Sequence, residues 1–256
     1  MRDQITSRSS SGPTESASVH IWHAAVSVDA PGAFESRCEQ CLPIEEVRQA
    51  DRFRRPTTRN QHVVGRAMAR RLLGSQGIRP DQIRFGIGPH GKPFVTDPPQ
   101  ACQPFNIAHT DGLVLCGVAD PAVELIGVDV ECLDRRTSTE LAERYFSQPE
   151  VRLLRSYPRG EQQMRFLQIW TLKEAYIKAI GTGLHTPLCD FSFESLDADR
   201  PTIRFLSSDL QDGRHWQFVC FRPREGFIAS AAIVTPDPRQ PPDIRWLPFE
   251  DLVMID

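Results

Sequence analysis

Apolar and polar positions along the chain change period several times, and each change marks an element. VHIWHAAVSV, starting at Val19, reads as a strand. The stretch from Pro31 to Pro43 reads as a loop leading into a helix on which Ile44, Val47 and Ala50 recur at three-residue spacing. In TTRNQHVVGRAMARRLL, Val64, Met68 and Leu72 recur at four-residue spacing, which predicts a longer helix with Arg59, Arg66 and Arg70 on its other faces, ended by Gly74 and Gly77. Short runs follow, QIRFGI, FNIAH, LVLCGVA and LIGVDVE, separated by Gly, Pro and Asp turns, and suggest a meander of strands. The pattern becomes helical again around Thr139 to Tyr145, Pro149 to Arg155 and Gln162 to Ile180. Strands FSFES, TIRFL, WQFVCF and FIASAAIV close the chain. Helices and strands are partly segregated, so the fold class is α+β rather than a parallel α/β sheet. No repeat is visible in the residues themselves.

Length refines this picture: 256 residues exceed the usual domain of roughly 100–150 and suit two small halves. The expected division is a flexible tail over 1–18, an N-terminal half over 19–123 and a C-terminal half over 124–256. Hydrophobic residues at 40% and charged residues at 25% match a soluble globular protein. A net charge of −3 gives no overall footprint for nucleic acid, and no run approaches the roughly 18 apolar residues of a membrane span. A cytoplasmic protein with neither nucleic acid nor membrane as partner is expected. Seven scattered cysteines make no disulfide framework, and the single CxxC of Cys38 and Cys41 lacks a second pair at zinc spacing.

Two segments carry candidate chemistry. On the strand GVDVE, alternation sends Asp129 and Glu131 to one side and Ile126, Val128 and Val130 to the other, while Gly127 leaves room for a ligand to approach the acidic side. Taken alone, such a pair reads as solvated acids at a strand end. The helix WTLKEAYIK changes that reading, because from Phe166 to Ile180 the only charged residues are Lys173, Glu174 and Lys178. Trp170, Glu174 and Lys178 share one helical face at four-residue spacing. Three carboxylates, Asp129, Glu131 and Glu174, suit magnesium, which prefers hard oxygen ligands, and Lys178 would offset phosphate charge. HGKPF presents Lys92 in a Gly-Pro turn and FNIAHT ends in Asn106 and His109; each is weak evidence by itself.

Read in order, GKP, FNIAHT, GVDVE and WTLKEAYIKAIGTGL resemble the motif series of the 4′-phosphopantetheinyl transferases of the longer, surfactin-synthetase-activating type. The resemblance spans Gly91 to Leu184. It implies a pseudo-dimeric monomer of two similarly folded α+β halves, with coenzyme A in the cleft between them. It further implies transfer of 4′-phosphopantetheine from coenzyme A to a serine of an apo carrier protein of acyl, peptidyl or polyketide type, with release of 3′,5′-ADP. By that resemblance Asp129, Glu131 and Glu174 bind magnesium, Glu174 and Lys178 are catalytic, and Gly91, Lys92, Asn106, His109 and Arg52 hold coenzyme A, with Lys92 and His109 on its 3′-phosphate. Two positions depart from the family pattern: Ala108, where a serine commonly precedes the histidine, and Gln49, where a basic residue is common. The segment Gly181 to Cys189 and the arginine-rich helix near Arg66 are candidate docking surfaces for the carrier. A domain that holds coenzyme A without catalysis and a metal-dependent nuclease or phosphohydrolase stay open as alternatives.

Overall fold

In the computed structural model, which describes residues 16–74, 77–137, 139–237 and 239–254, the chain runs twice through one order of elements. The first pass is strand β1 (Ser18–Ala25), short helices α1 (Ala33–Gln40) and α2 (Ile44–Ala50), long helix α3 (Pro56–Leu73), hairpin strands β2 (Arg84–Ile87) and β3 (Pro93–Asp97), then β4 (Phe105–Thr110) and β5 (Leu113–Ala119). The second is β6 (Leu125–Cys132), α4 (Thr139–Tyr145), α5 (Gln148–Ser156), α6 (Arg159–Ile180), hairpin strands β7 (Phe191–Glu194) and β8 (Thr202–Phe205), then β9 (Trp216–Phe221) and β10 (Phe227–Val234). In each pass the first strand pairs antiparallel with the last and the last with the one before it, giving β1-β5-β4 and β6-β10-β9. The α+β, pseudo-dimeric arrangement is thus written in element order, although the residues of the two passes show no repeat.

Strand alternation explains how the halves join. On β5, Val114, Cys116 and Val118 face the core under α3, while Leu113, Leu115 and Ala119 face the second sheet. On β10, Ile228 and Ala232 face the α6 side, while Ala229, Ala231 and Ile233 face the first sheet. Helices therefore form the two outer layers and the sheets pack face to face in the middle. The seam is polar at one point: Asn106 on β4 accepts a 2.8 Å hydrogen bond from the backbone N–H of Val128 on β6.

Several expectations change. The four runs from QIRFGI to LIGVDVE are no meander, because among the described residues β2 and β3 pair only with each other, and β6 belongs to the second sheet. Within the expected Pro31 to Pro43 loop lies α1, whose start is held by Glu35: its carboxylate accepts from the N–H groups of Gly32 and Ser27, each at 2.8 Å. After β10 the chain returns to the first half, where β11 (Asp243–Pro248) pairs parallel with β1 and Phe249, just before α7 (Glu250–Met254), is buried in that half's core. Most of the expected tail, residues 1–15, lies outside the described residues. No helix among the described residues is long and apolar enough to cross a membrane. All seven cysteines are free thiols; Cys38 of the CxxC is buried, which pushes its thiol up to about 12.

Candidate active site

The acidic strand and the long helix meet because of a glycine. A Cβ at Gly127 would stand 2.1 Å from the carbonyl oxygen of Ala175 and 2.4 Å from the backbone nitrogen of Ala179. Gly127 therefore admits the backbone of α6 rather than a ligand, which corrects the role expected for it. Glu174 and Lys178, the residues preceding Ala175 and Ala179, are carried against Asp129 and Glu131, two and four positions further along β6. The helix itself is apolar around most of its girth, as a helix wedged between a sheet and other helices should be. It ends at Gly181, whose φ of +74° provides the left-handed C-terminal cap.

Lys178 Nζ donates to Asp129 Oδ1 at 2.6 Å, while Asp129 Oδ2 is buried without a partner. Glu131 forms an ion pair with Arg135 and lies 3.5 Å from the hydroxyl of Thr110. Burial pushes the carboxyls of Glu131 and Glu174 up to about 7 each, and the charge of Asp129 adds to both shifts. Asp129 itself is pushed upward by burial, which outweighs the attraction of Lys178. Three buried carboxyl groups, with Glu131 feeling the charges of Asp129 and Glu174 and Glu174 feeling that of Asp129, form a site that a cation relieves. Among the described residues, no three Asp, Glu, His or Cys side chains are gathered into a preformed metal cage. Magnesium requires none, since it usually binds one or two carboxylates and completes its shell with water and phosphate oxygens. The unpartnered Asp129 oxygen and the all-oxygen donor set fit such an ion.

Beside this cluster lies a cavity of about 380 Å³ lined by Gly91, His109, Gln49, Phe53, His62 and Arg66, among others. Gly91, with a φ of +89°, makes the turn that brings the β2–β3 hairpin to its rim. Burial and the nearby Lys178 hold the His109 imidazole below its ordinary 6.5. His62 is lowered in the same way and its ring lies 5.3 Å from that of Phe53. Thr110, which follows His109 on β4, brings its hydroxyl to 3.5 Å from Glu131 and so links the cavity wall to the acidic cluster. Arg52, just past α2, is exposed, and no ion pair engages it among the described residues.

Other expected site residues lie elsewhere. Asn106 is committed to the seam with Val128. Lys92 donates to the carbonyls of Ile126 and Ala179, at 3.0 and 2.8 Å. Ala108 is buried between the sheets, so a hydroxyl at its β-carbon would enter an apolar core. Arg66 is no surface docking residue: it pairs with Glu46 at 3.1 Å and lies over the ring of Phe85. The other candidate docking segment, Gly181 to Cys189, does present an apolar side chain, Leu184, which is 66% exposed. Arg135 and His62 are the participants that the sequence did not announce. Arg135 follows Glu131 by four residues, beyond the strand's end, and His62 looks like one more polar position on an amphipathic helix.

The model of the 4′-phosphopantetheinyl transferase superfamily matches residues 125–232, a span that contains Asp129, Glu131, Glu174 and Lys178. The chain is 36% identical over 219 residues to the 4′-phosphopantetheinyl transferase HetI of Nostoc sp., covering 84% of this chain and 87% of that protein. It is 29% identical to the 4′-phosphopantetheinyl transferase Sfp of Bacillus subtilis, over 82% of this chain and 88% of the other. A solved holo-(acyl-carrier-protein) synthase of Bacillus anthracis in complex with CoA aligns with 45% of this chain and 98% of its own, at 18% identity and a TM-score of 0.38. On the strength of the first relative's identity and coverage, the chain belongs to the 4′-phosphopantetheinyl transferases, a family of enzymes.

Proposed function

We propose that the chain transfers the 4′-phosphopantetheine group of coenzyme A to a serine hydroxyl of an apo carrier protein, releasing 3′,5′-ADP, with magnesium required. The observation that carries this reading is the convergence of Asp129, Glu131, Glu174 and Lys178, joined through Thr110 to a cavity that His109 and Gly91 line. Asp129, Glu131 and Glu174 are the residues that would hold the ion, which when bound offsets negative charge on the pyrophosphate and on the departing nucleotide. Glu174 is the group that accepts the proton of the serine hydroxyl as that oxygen attacks the β-phosphorus. The phosphorus–oxygen bond to the leaving 3′,5′-ADP breaks in the same displacement. Lys178 opposes the effect of burial on Asp129 and aims its carboxylate, and places its own ammonium next to the reacting phosphates. His109, in the cavity's lining, supplies a hydrogen bond to a phosphate oxygen, and Arg52, the exposed neighbour of the cavity-lining Phe53, offers a cation. The enzyme acts as a monomer, because one chain holds both the cavity, in its first half, and the acidic cluster, in its second.

Intact-mass analysis of apo acyl, peptidyl and polyketide carrier proteins tests the reading. With coenzyme A and magnesium, at least one carrier gains the phosphopantetheine mass. If none does, while a known transferase modifies the same preparations in parallel, the reading fails.

A further inference from the structure

Resemblance puts Lys92 on the 3′-phosphate of coenzyme A, but its geometry points elsewhere. Its two chain neighbours, Gly91 and Pro93, line the cavity that holds His109, whereas Lys92 itself lines a different cavity, of about 330 Å³, together with Ile126 and Leu125. At Gly91 the chain turns, with a φ of +89°, and the side chain of the lysine that follows leaves the cavity its neighbours line. Its side chain crosses from the first half to the second and donates to Ile126 O on β6, at 3.0 Å, and to Ala179 O on α6, at 2.8 Å. The aliphatic stem lies over Gly181, where an added Cβ would come within 3.3 Å of Lys92 Cδ.

Those two carbonyls bracket the tightest point in the site. Ile126 precedes Gly127, and Ala179 follows Lys178. Ala179 O is one of the last carbonyls of a 22-residue helix, a group with no partner inside the helix. The negative end of the helix dipole also explains how an ammonium sits there with no carboxylate beside it. Burial lowers its proton affinity to about 8, and no nearby acid restores it.

We propose that Lys92 is a positioning residue, a cross-half clamp that holds the end of α6 onto β6 and so fixes Lys178 and Glu174 against Asp129, rather than a contact for the 3′-phosphate. This inference rests on the transferase reading and concerns the same site. A lysine that only touched the nucleotide would not need to satisfy a helix-terminal carbonyl and a strand carbonyl at once. A lysine that clamps them lies upstream of every group on the last turn of α6.

The test compares Lys92→Met and Lys92→Gln with the wild type, using coenzyme A and 3′-dephospho-coenzyme A as paired ligands. Calorimetry gives binding, carrier modification gives kcat, and hydrogen exchange is followed over 177–182 in the unliganded protein. A clamp predicts that Lys92→Met lowers kcat by about tenfold or more, by the same factor for both ligands, with little change in either dissociation constant. It also predicts faster exchange over 177–182, with Lys92→Gln, which keeps a donor, recovering part of both effects. A loss confined to coenzyme A, with its binding weakened about tenfold and that of the dephospho form unchanged, would overturn the proposal in favour of a 3′-phosphate contact. Unchanged exchange over 177–182 would overturn it equally. Should the wild type modify no carrier, the transferase reading falls, while the exchange data still decide whether Lys92 clamps the helix.

Discussion

Gly127→Ala is the smallest substitution that should disable the site without touching a charged group. The added Cβ would lie 2.1 Å from Ala175 O and 2.4 Å from Ala179 N, and contacts of this kind need at least 3.0 Å, so α6 has to withdraw by nearly an ångström. Both opposing atoms are backbone, and no side chain can swing away to make room. Overpacking of this sort costs about 1–3 kcal/mol, and at roughly 2–4 °C per kcal/mol for a chain of this length the melting temperature falls by about 2–12 °C. Activity should suffer more than stability. The same withdrawal carries Glu174 and Lys178 away from Asp129, and a misplacement of about 1 Å can lower turnover about 100-fold. Thermal unfolding and carrier-modification kinetics on the same preparation check both numbers. A Gly127→Ala protein with wild-type melting temperature and wild-type kcat would refute the packing argument and the claim that β6 and α6 position the catalytic groups together.

Three further outcomes follow from the same geometry. The Glu131 and Glu174 carboxyls have folded-state values near 7 against an ordinary 4.5, so the folded protein binds more protons than the unfolded chain between those values. Stability in the absence of divalent metal should therefore fall as pH rises from about 4.5 to 7, and magnesium should raise the melting temperature more at pH 8 than at pH 6; scanning calorimetry across pH, with and without the ion, reads both. In the second half's core, Lys173 and Glu150 are fully buried 2.8 Å apart, with the lysine also donating to Leu188 O and Phe191 O. Removing one partner, by Lys173→Met or Glu150→Gln, should cost about 3–5 kcal/mol in denaturant unfolding, and the double substitution less than the two single losses together. Ala108→Ser should leave coenzyme A affinity unimproved and lower the melting temperature, because the hydroxyl enters the apolar layer between the sheets; calorimetric titration and thermal unfolding test the pair of outcomes.

How much of this was legible in the sequence depends on the range of the interaction. Alternation on β6 and the four-residue spacing on α6 are local, and they correctly divided Asp129 and Glu131 from Ile126, Val128 and Val130 and put Glu174 with Lys178. Partners separated by a long stretch of chain were not legible. Nothing in GKP reveals that Lys92 turns towards Ala179, nor does FNIAHT reveal that the Asn106 side chain bonds across the sheet seam. Arg59, Arg66 and Arg70 were placed on the faces of α3 away from its apolar stripe, yet Arg66 and Arg70 converge on one buried acid of α2, Glu46. A charge pattern gives the face of a helix but not what packs against that face. The return of β11 to β1 escaped for a related reason: a short strand at the end of a chain carries no mark of which sheet it joins.

The most direct test of the acidic cluster is metal binding by the Asp129→Asn variant. This substitution keeps the shape of the side chain and its hydrogen bond with Lys178 while removing the charge, so the fold should survive. Manganese, standing in for magnesium, is titrated into the wild type and the variant in the presence of coenzyme A and followed by paramagnetic resonance. The wild type should bind one ion and modify its carrier, and the variant should lose both at an unchanged unfolding transition. If Asp129→Asn binds manganese as tightly as the wild type and still loads the carrier, the assignment of Asp129, Glu131 and Glu174 as the ion's ligands is contradicted.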